Sequence, residues 1–310
     1  MFSGISKSIA TQFTVAEKVS PYASTGLLPR LRAIRWAYSL RQTSDIHHVT
    51  GDIHFLVFGL PRKKTILTIH DLAFLQRGNY LSRFILWLFW VYLPITWISK
   101  VTCVSGATKR DIVKYTRCSV DKVKVIPNFV ASEFIPVVKK FNRERPVILQ
   151  IGTAYNKNIE RLLESLADIV CHLRIIGHLS EKQLALLTER KTDFSNHYDL
   201  KNGELVDEYN QCDIVAFCST VEGFGLPIIE AQAVGRVVVT SNVSSMPEVA
   251  GDAACMVDPF SISSINQGIR KTIDEVEYRD QLIKKGFKNV EKFDLNFISR
   301  LYLSLYQSLR

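Results

Sequence analysis

The chain has 310 residues, 47% hydrophobic and 22% charged, a globular balance that excludes a disordered or low-complexity protein and suits about two domains at ~150 residues each. Its formal net charge of +9 is lopsided: residues 1–140 carry 20 Lys+Arg against 7 Asp+Glu, and residues 141–310 carry 19 against 23. Six cysteines without a CxxC pair exclude a zinc ribbon or dithiol motif and fit a reducing cytosol.

The N-terminus, "MFSGISKSIATQF", lacks a charged head followed by an apolar run, so no secretory leader is expected. Strands are predicted at 64–71 and 100–105, a helix at 106–116, and a short strand at 122–128. Between the first two strands, "FILWLFWVYLPITWIS" (84–99) runs sixteen residues without a charge. A spanning helix needs ~20 residues, and Pro94 interrupts this one. A core helix is favoured, with an interfacial helix anchored by Trp87, Trp90 and Trp97 as the alternative. The polar stretch 141–146 reads as a boundary.

The second half repeats the alternation more clearly. Strands are expected at 146–152, 171–177, 196–200, 213–219 and 236–241. Helices are expected at 158–169, 180–190 (with Ser180 as N-cap), 203–212 and 227–234, and a terminal amphipathic helix over 293–310. This grammar predicts parallel sheets flanked by helices, in domains 1–142 and 143–292, with 293–310 packing back toward the first. Ligands of such sheets sit beyond the carboxyl ends of the strands.

The informative stretch is "TVEGFGLPIIEAQAVG" (220–235). It joins a strand to a helix that begins near Pro227 and stops at Gly235. Gly223 and Gly225 permit close backbone approach, and an open helix start favours an anion. Glu222 precedes the turn and Glu230 follows about one helical turn in. Carboxylates suit hydroxyls rather than phosphates. The order therefore reads as sugar hydroxyls, diphosphate, ribose hydroxyls, against the simpler reading of a capping Glu beside a packing turn.

Residues 219–259 resemble the donor-site signature of retaining glycosyltransferases of family 4, the group 1 enzymes. "ILTIHDLAFL" (66–75), "TCVSGATKRDIVKY" (102–115), "KVKVIPNFV" (122–130) and "ILQIGTAYNKNIERLLESL" (148–166) resemble other family segments in the same order. The resemblance covers residues 45–310 and implies the α/β GT-B architecture: two doubly wound, Rossmann-like parallel-sheet domains facing a cleft. It implies that Glu230 binds ribose hydroxyls and Glu222 the donor sugar. Gly223, Phe224, Gly225 and Leu226 would hold sugar and diphosphate, and Lys157 would neutralise the diphosphate. Gly152, Thr153 and Asn158 fall to the donor-binding loop, and His70 to the first-domain side of the reaction. Two departures stand out. No first strand or clear glycine loop opens the chain, and Thr153 occupies the position where many relatives carry arginine.

The expected activity is a retaining, metal-independent hexosyl transfer from a nucleotide-diphosphate sugar to a glycan or lipid-linked acceptor, in cell-envelope polysaccharide synthesis. No Asp-x-Asp clamp is present, and His47, His48 and His54 lack tidy ligand spacing, so neither metal nor cofactor is expected. The basic first half suits a cytoplasmic protein docked peripherally on an anionic membrane. No nucleic-acid motif is found. Two rivals stay open: a weakly active accessory or glycan-binding subunit, and a nucleotide-sugar hydrolase or epimerase.

Overall fold

Parallel strands buried on both faces read as continuous apolar runs, and that is how most of this molecule is built. The computed structural model describes residues 2–76 and 78–309. The chain divides into two units, Met1–Phe129 with Leu295–Arg310, and Val130–Asp294.

The first unit holds β1 (His47–Val49), β2 (Thr65–Ile69), β3 (Lys100–Cys103) and β4 (Val123–Val125), all parallel and in the order β1-β2-β3-β4. Every residue of β2 is buried. One cluster joins Ile66 of β2 to Ile5 and Ile9 of the helix Phe2–Ile9, and to Ile298, Tyr302 and Leu305 of the helix Leu295–Gln307. The spacing of those last three is the apolar stripe of an amphipathic helix, so the terminal helix completes the first unit. A buried polar network runs through the same region. His48 bonds Tyr306 through Nδ1 and Thr68 through Nε2, each at 2.7 Å, and Thr68 bonds Thr102 at 2.6 Å. Burial pushes the His48 imidazole down to about 3.

The apolar run at 84–99 lies in a helix from Tyr80 to Trp97 that widens into a π-turn over Trp87–Tyr92. Pro94 explains the turn, because it has no N–H for the Trp90 carbonyl four residues back. That carbonyl instead accepts from His54 Nδ1 at 2.7 Å. The Trp87 and Trp90 indoles donate to the carbonyls of Tyr115 and Asp52, both at 2.8 Å. The segment is therefore packed into its unit on one face, through Val91, Pro94, Ile95 and Ile98, while Phe84, Ile85, Phe89 and Trp97 stay exposed. Among the described residues no helix is long and apolar enough to cross a membrane.

The second unit carries β5 (Val147–Ile151), β6 (His172–Ile176), β7 (Phe194–His197), β8 (Ile214–Phe217), β9 (Val237–Ser241) and β10 (Cys255–Val257). Their order is β7-β6-β5-β8-β9-β10, all parallel. The order reverses between β5 and β8, which opens a crevice above their carboxyl ends. Helices Ile159–Ser165 and Leu226–Ala233 start from the loops at that crevice.

The division falls at 129/130, ahead of the 142/143 expected from the polar stretch. Residues 130–142 are tied to the second unit. Phe134 packs edge-on to Tyr209, the Val137 carbonyl accepts from Arg236, and Lys139 pairs with buried Asp213. Asp213 also accepts from the backbone N–H groups of Asn142 and Val147.

Candidate active site

The loop after β5 is shaped by two left-handed residues. Gly152 has φ +84°, and a Cβ there would lie 2.9 Å from Lys157 Cε, so the glycine makes room for the lysine to cross it. Asn158, at φ 60°, turns the chain into the helix Ile159–Ser165. Its Nδ2 donates to the carbonyls of Cys218 and Pro259, and its Oδ1 accepts from Arg161. The Asn158 side chain is thus engaged inside the unit, where it fixes the loop. Thr153 turns toward β6: its hydroxyl donates to the His178 carbonyl at 2.6 Å.

The loop after β8 carries Glu222, and it is pinned from two sides. Ser244 and Ser245 hydroxyls donate to the Glu222 carbonyl, and Ser245 also to that of Phe224. Asn156 Nδ2 donates to the Val221 carbonyl at 3.0 Å and to Glu222 Oε1 at 3.1 Å. Lys157 Nζ meets the same Oε1 at 2.6 Å, with its charge 4.7 Å from the Phe217 ring centroid. The pair is largely shielded, with side chains 19% and 14% exposed. Glu222 Oε2 takes no hydrogen bond among the described residues.

Gly225, at φ +112°, precedes the helix Leu226–Ala233, whose start has no side-chain cap. One turn in, Glu230 Oε2 accepts from the Tyr209 hydroxyl at 2.6 Å, while Oε1 takes no hydrogen bond among the described residues. Burial holds the Glu230 carboxyl above its usual range, against the opposing pull of that hydrogen bond.

The second unit therefore brings together Gly152, Lys157, Glu222, Gly223, Phe224, Gly225, Leu226 and Glu230 on the loops of one crevice. His70 belongs to the first unit, directly after β2. Its Nε2 donates to the Thr50 carbonyl at 2.8 Å. His47, His48 and His54 each face a different partner. Among the described residues no three His, Cys, Asp or Glu side chains converge on a point that could hold a metal. Sequence reasoning missed Asn156, Tyr209, Ser244 and Ser245. The two serines lay inside the quoted signature without a role, and nothing in the letters linked Tyr209 to Glu230.

This crevice can bind a diphosphate against a lysine and a helix start while two carboxylates take up hydroxyls on either side. A family profile described as "Glycosyl transferases group 1" matches residues 131–289, and one described as "Glycosyltransferase Family 4" matches residues 10–134. The chain is 25% identical over 307 residues to the O-antigen chain mannosyltransferase B of Escherichia coli, covering 89% of this chain and 77% of that protein. It is 27% identical over 205 residues to the serotype-specific mannosyltransferase WbdA of the same species, covering 58% of this chain but only 25% of WbdA. Among solved structures, Anabaena Alr3699/HepE in complex with UDP and glucose superposes with a TM-score of 0.78 at 15% identity, over 91% of this chain and 83% of that one.

Proposed function

The chain belongs to the group 1 glycosyl transferases, with the GT-B fold, and from that premise we propose a retaining, metal-independent hexosyl transfer from a nucleotide-diphosphate sugar to a glycan or lipid-linked acceptor. One observation carries the reading: Lys157 and Glu222 meet at 2.6 Å on the crevice between β5 and β8, beside an uncapped helix start. Lys157 and the helix start offset the charge on the leaving diphosphate, the task a metal would otherwise perform. Glu222, through its open Oε2, accepts a hydroxyl of the donor sugar. Glu230, through its open Oε1, accepts the ribose hydroxyls. The bond from the anomeric carbon to the diphosphate breaks, and the acceptor oxygen bonds to that carbon on the same face. The acceptor proton passes to the departing diphosphate oxygen. The enzyme's share is positioning and electrostatic stabilisation.

The mannosyltransferase relatives support a hexose and cell-envelope polysaccharide synthesis, and the structural neighbour with UDP and glucose supports a nucleotide-sugar donor. Membrane docking at the cytoplasmic face belongs to the same reading. Leu27, Leu28 and Leu31 are exposed on the helix Leu27–Ser39 beside Arg32 and Arg35, and Tyr80, Leu81 and Phe84 are exposed on the helix from Tyr80. Arg30 stands over the Trp90 ring, 4.2 Å from its centroid, and links the two helices. Apolar side chains rimmed by arginine suit anionic headgroups.

The test is calorimetric titration with UDP, GDP, ADP and CDP in EDTA, for the wild type and Glu230→Ala. Tight binding of one nucleotide, lost in the variant, is expected. Binding only after a divalent metal is restored would overturn metal independence, and no binding at all would overturn the donor site.

A further inference from the structure

A cavity of about 610 Å³ lies within the first unit, and no donor-site residue named above lines it. That volume is within the range of small-ligand pockets, roughly 300–1,000 Å³. Its walls are the helix Phe2–Ile9, the irregular segment 13–19, the chain entering β1, and Tyr306 of the helix Leu295–Gln307. Phe2, Phe13 and Tyr306 bring aromatic surface to it, and Ile5 and Ile9 an apolar floor. Phe13 and Tyr306 stand edge-to-face at 5.9 Å, so their rings form a corner.

Residues 1–140 hold only 7 Asp+Glu, and two of them, Glu17 and Asp45, line this cavity. Neither carboxylate has an ion-pair partner among the described residues; Glu17 accepts from the hydroxyls of Ser6 and Ser3. Those bonds hold the Glu17 carboxyl below its usual range, so it is ionised at neutral pH, and Lys7 adds a smaller pull from outside the lining. Against the two carboxylates the lining offers one cation, Lys18. His48 is also there, but burial keeps its imidazole neutral. An anion would therefore meet more negative than positive charge. The basic surface elsewhere in the unit does not reverse this, because exposed charges are screened beyond about 8 Å at physiological salt. Carboxylates beside aromatic faces suit an organic ammonium ion. Its charge goes to the carboxylates and ring faces, and its hydrocarbon to the apolar walls.

We propose that this cavity binds an organic ammonium ion, with Glu17 and Asp45 taking its charge and Phe13 and Tyr306 its ring-face contact. The site is independent of the glycosyl-transfer reading and adds a ligand which that reading does not use. Occupancy ties the helix Phe2–Ile9, the segment 13–19 and the helix Leu295–Gln307 together, so the ligand stabilises the first unit.

Saturation-transfer NMR and thermal unfolding of the full chain test this. Choline and benzylamine serve as cations, and the uncharged carbon analogue of choline and benzyl alcohol as their neutral counterparts. At least one cation should bind and raise the melting temperature, and its neutral counterpart should bind at least fivefold more weakly. Glu17→Gln keeps an acceptor for both serines but loses the charge, and Phe13→Leu keeps apolar volume but loses the π face. Each should weaken cation binding roughly five- to tenfold and leave nucleotide affinity unchanged. Phosphocholine separates a free amine from a headgroup. Weaker binding than choline, as expected, supports a site for a free amine; binding as tight as choline would support the ammonium site and name a headgroup as its source. Equal binding of cation and neutral counterpart, failure of both cations, or cation binding unchanged in both variants would refute the site. Should Phe13→Leu lower the melting temperature without ligand, Asp45→Asn replaces it with the same expectation.

Discussion

Lys157→Met would separate what the central ion pair does for folding from what it does for chemistry. At 2.6 Å the two charges attract by about 6 kcal/mol at an effective dielectric of 20, but desolvation of both groups offsets much of that. Asn156 would remain on Glu222 Oε1, and the site is partly open. The net loss expected for Lys157→Met is therefore about 1–3 kcal/mol, since it strands a shielded carboxylate. Glu222→Gln alone strands the lysine, with a similar cost. The double variant removes both charges and should recover most of the stability, giving a coupling energy of about 1.5–5 kcal/mol in a double-mutant cycle. Activity should not recover, because the diphosphate still lacks its cation: turnover should fall roughly a hundredfold or more in Lys157→Met and in the double variant alike. Urea unfolding followed by circular dichroism gives the stabilities, and release of nucleoside diphosphate gives the rates. A coupling below about 0.5 kcal/mol, or activity regained in the double variant, would refute the assignment.

Nucleotide affinity should fall as pH drops toward 4.5, beginning above the ordinary glutamate range, because Glu230 protonates early and its acid form is a poorer acceptor; calorimetry on Glu230→Gln should show a flat profile. Tyr209→Phe, which frees Glu230 Oε2, should weaken nucleotide binding by roughly five- to tenfold in the same titration. His48 is protonated more readily unfolded than folded, so its contribution is intact above 6.5 and is lost as pH falls toward about 3; a His48→Asn variant should lose less stability over that window in acid titration by circular dichroism. Arg236 donates to the carbonyls of Tyr209, Asn210, Val137, Val234 and Gly235, so Arg236→Met should cost about 3–5 kcal/mol in urea unfolding, a loss concentrated in the second unit.

The second unit was legible because its central strands are buried on both faces and spell themselves out: β5, β8 and β9 fall within the runs "PVILQIG", "DIVAFCS" and "RVVVTS". Polar or short strands were not. β1 is only "HHV", and β7 runs over 194–197 rather than 196–200 because its letters, Phe-Ser-Asn-His, carry almost no alternation. The helix Leu27–Ser39 went unseen because it begins after Gly26 with no side-chain cap. At the site, the roles proposed for Lys157 and Glu222 came separately, from a resemblance. Their contact spans 65 positions in the chain, and only the β5–β8 pairing makes it. Asn158 shows the opposite limit. A polar residue at a ligand loop reads as a ligand contact, yet its amide braces three segments of the fold.

The helix Leu295–Gln307 ties a late-made segment to an early-made one. Its Ile298, Tyr302 and Leu305 fill the core that Ile5, Ile9 and Ile66 begin, so the first unit stays incomplete until residues 295–307, made later, have emerged from the ribosome. Residues 130–294 form an unbroken stretch with their own core and can mature while the opening segment still waits. The first unit is thereby exposed longer than the second to chaperones and proteases, and a substitution that disturbs the helix Leu295–Gln307 would be felt at the helix Phe2–Ile9.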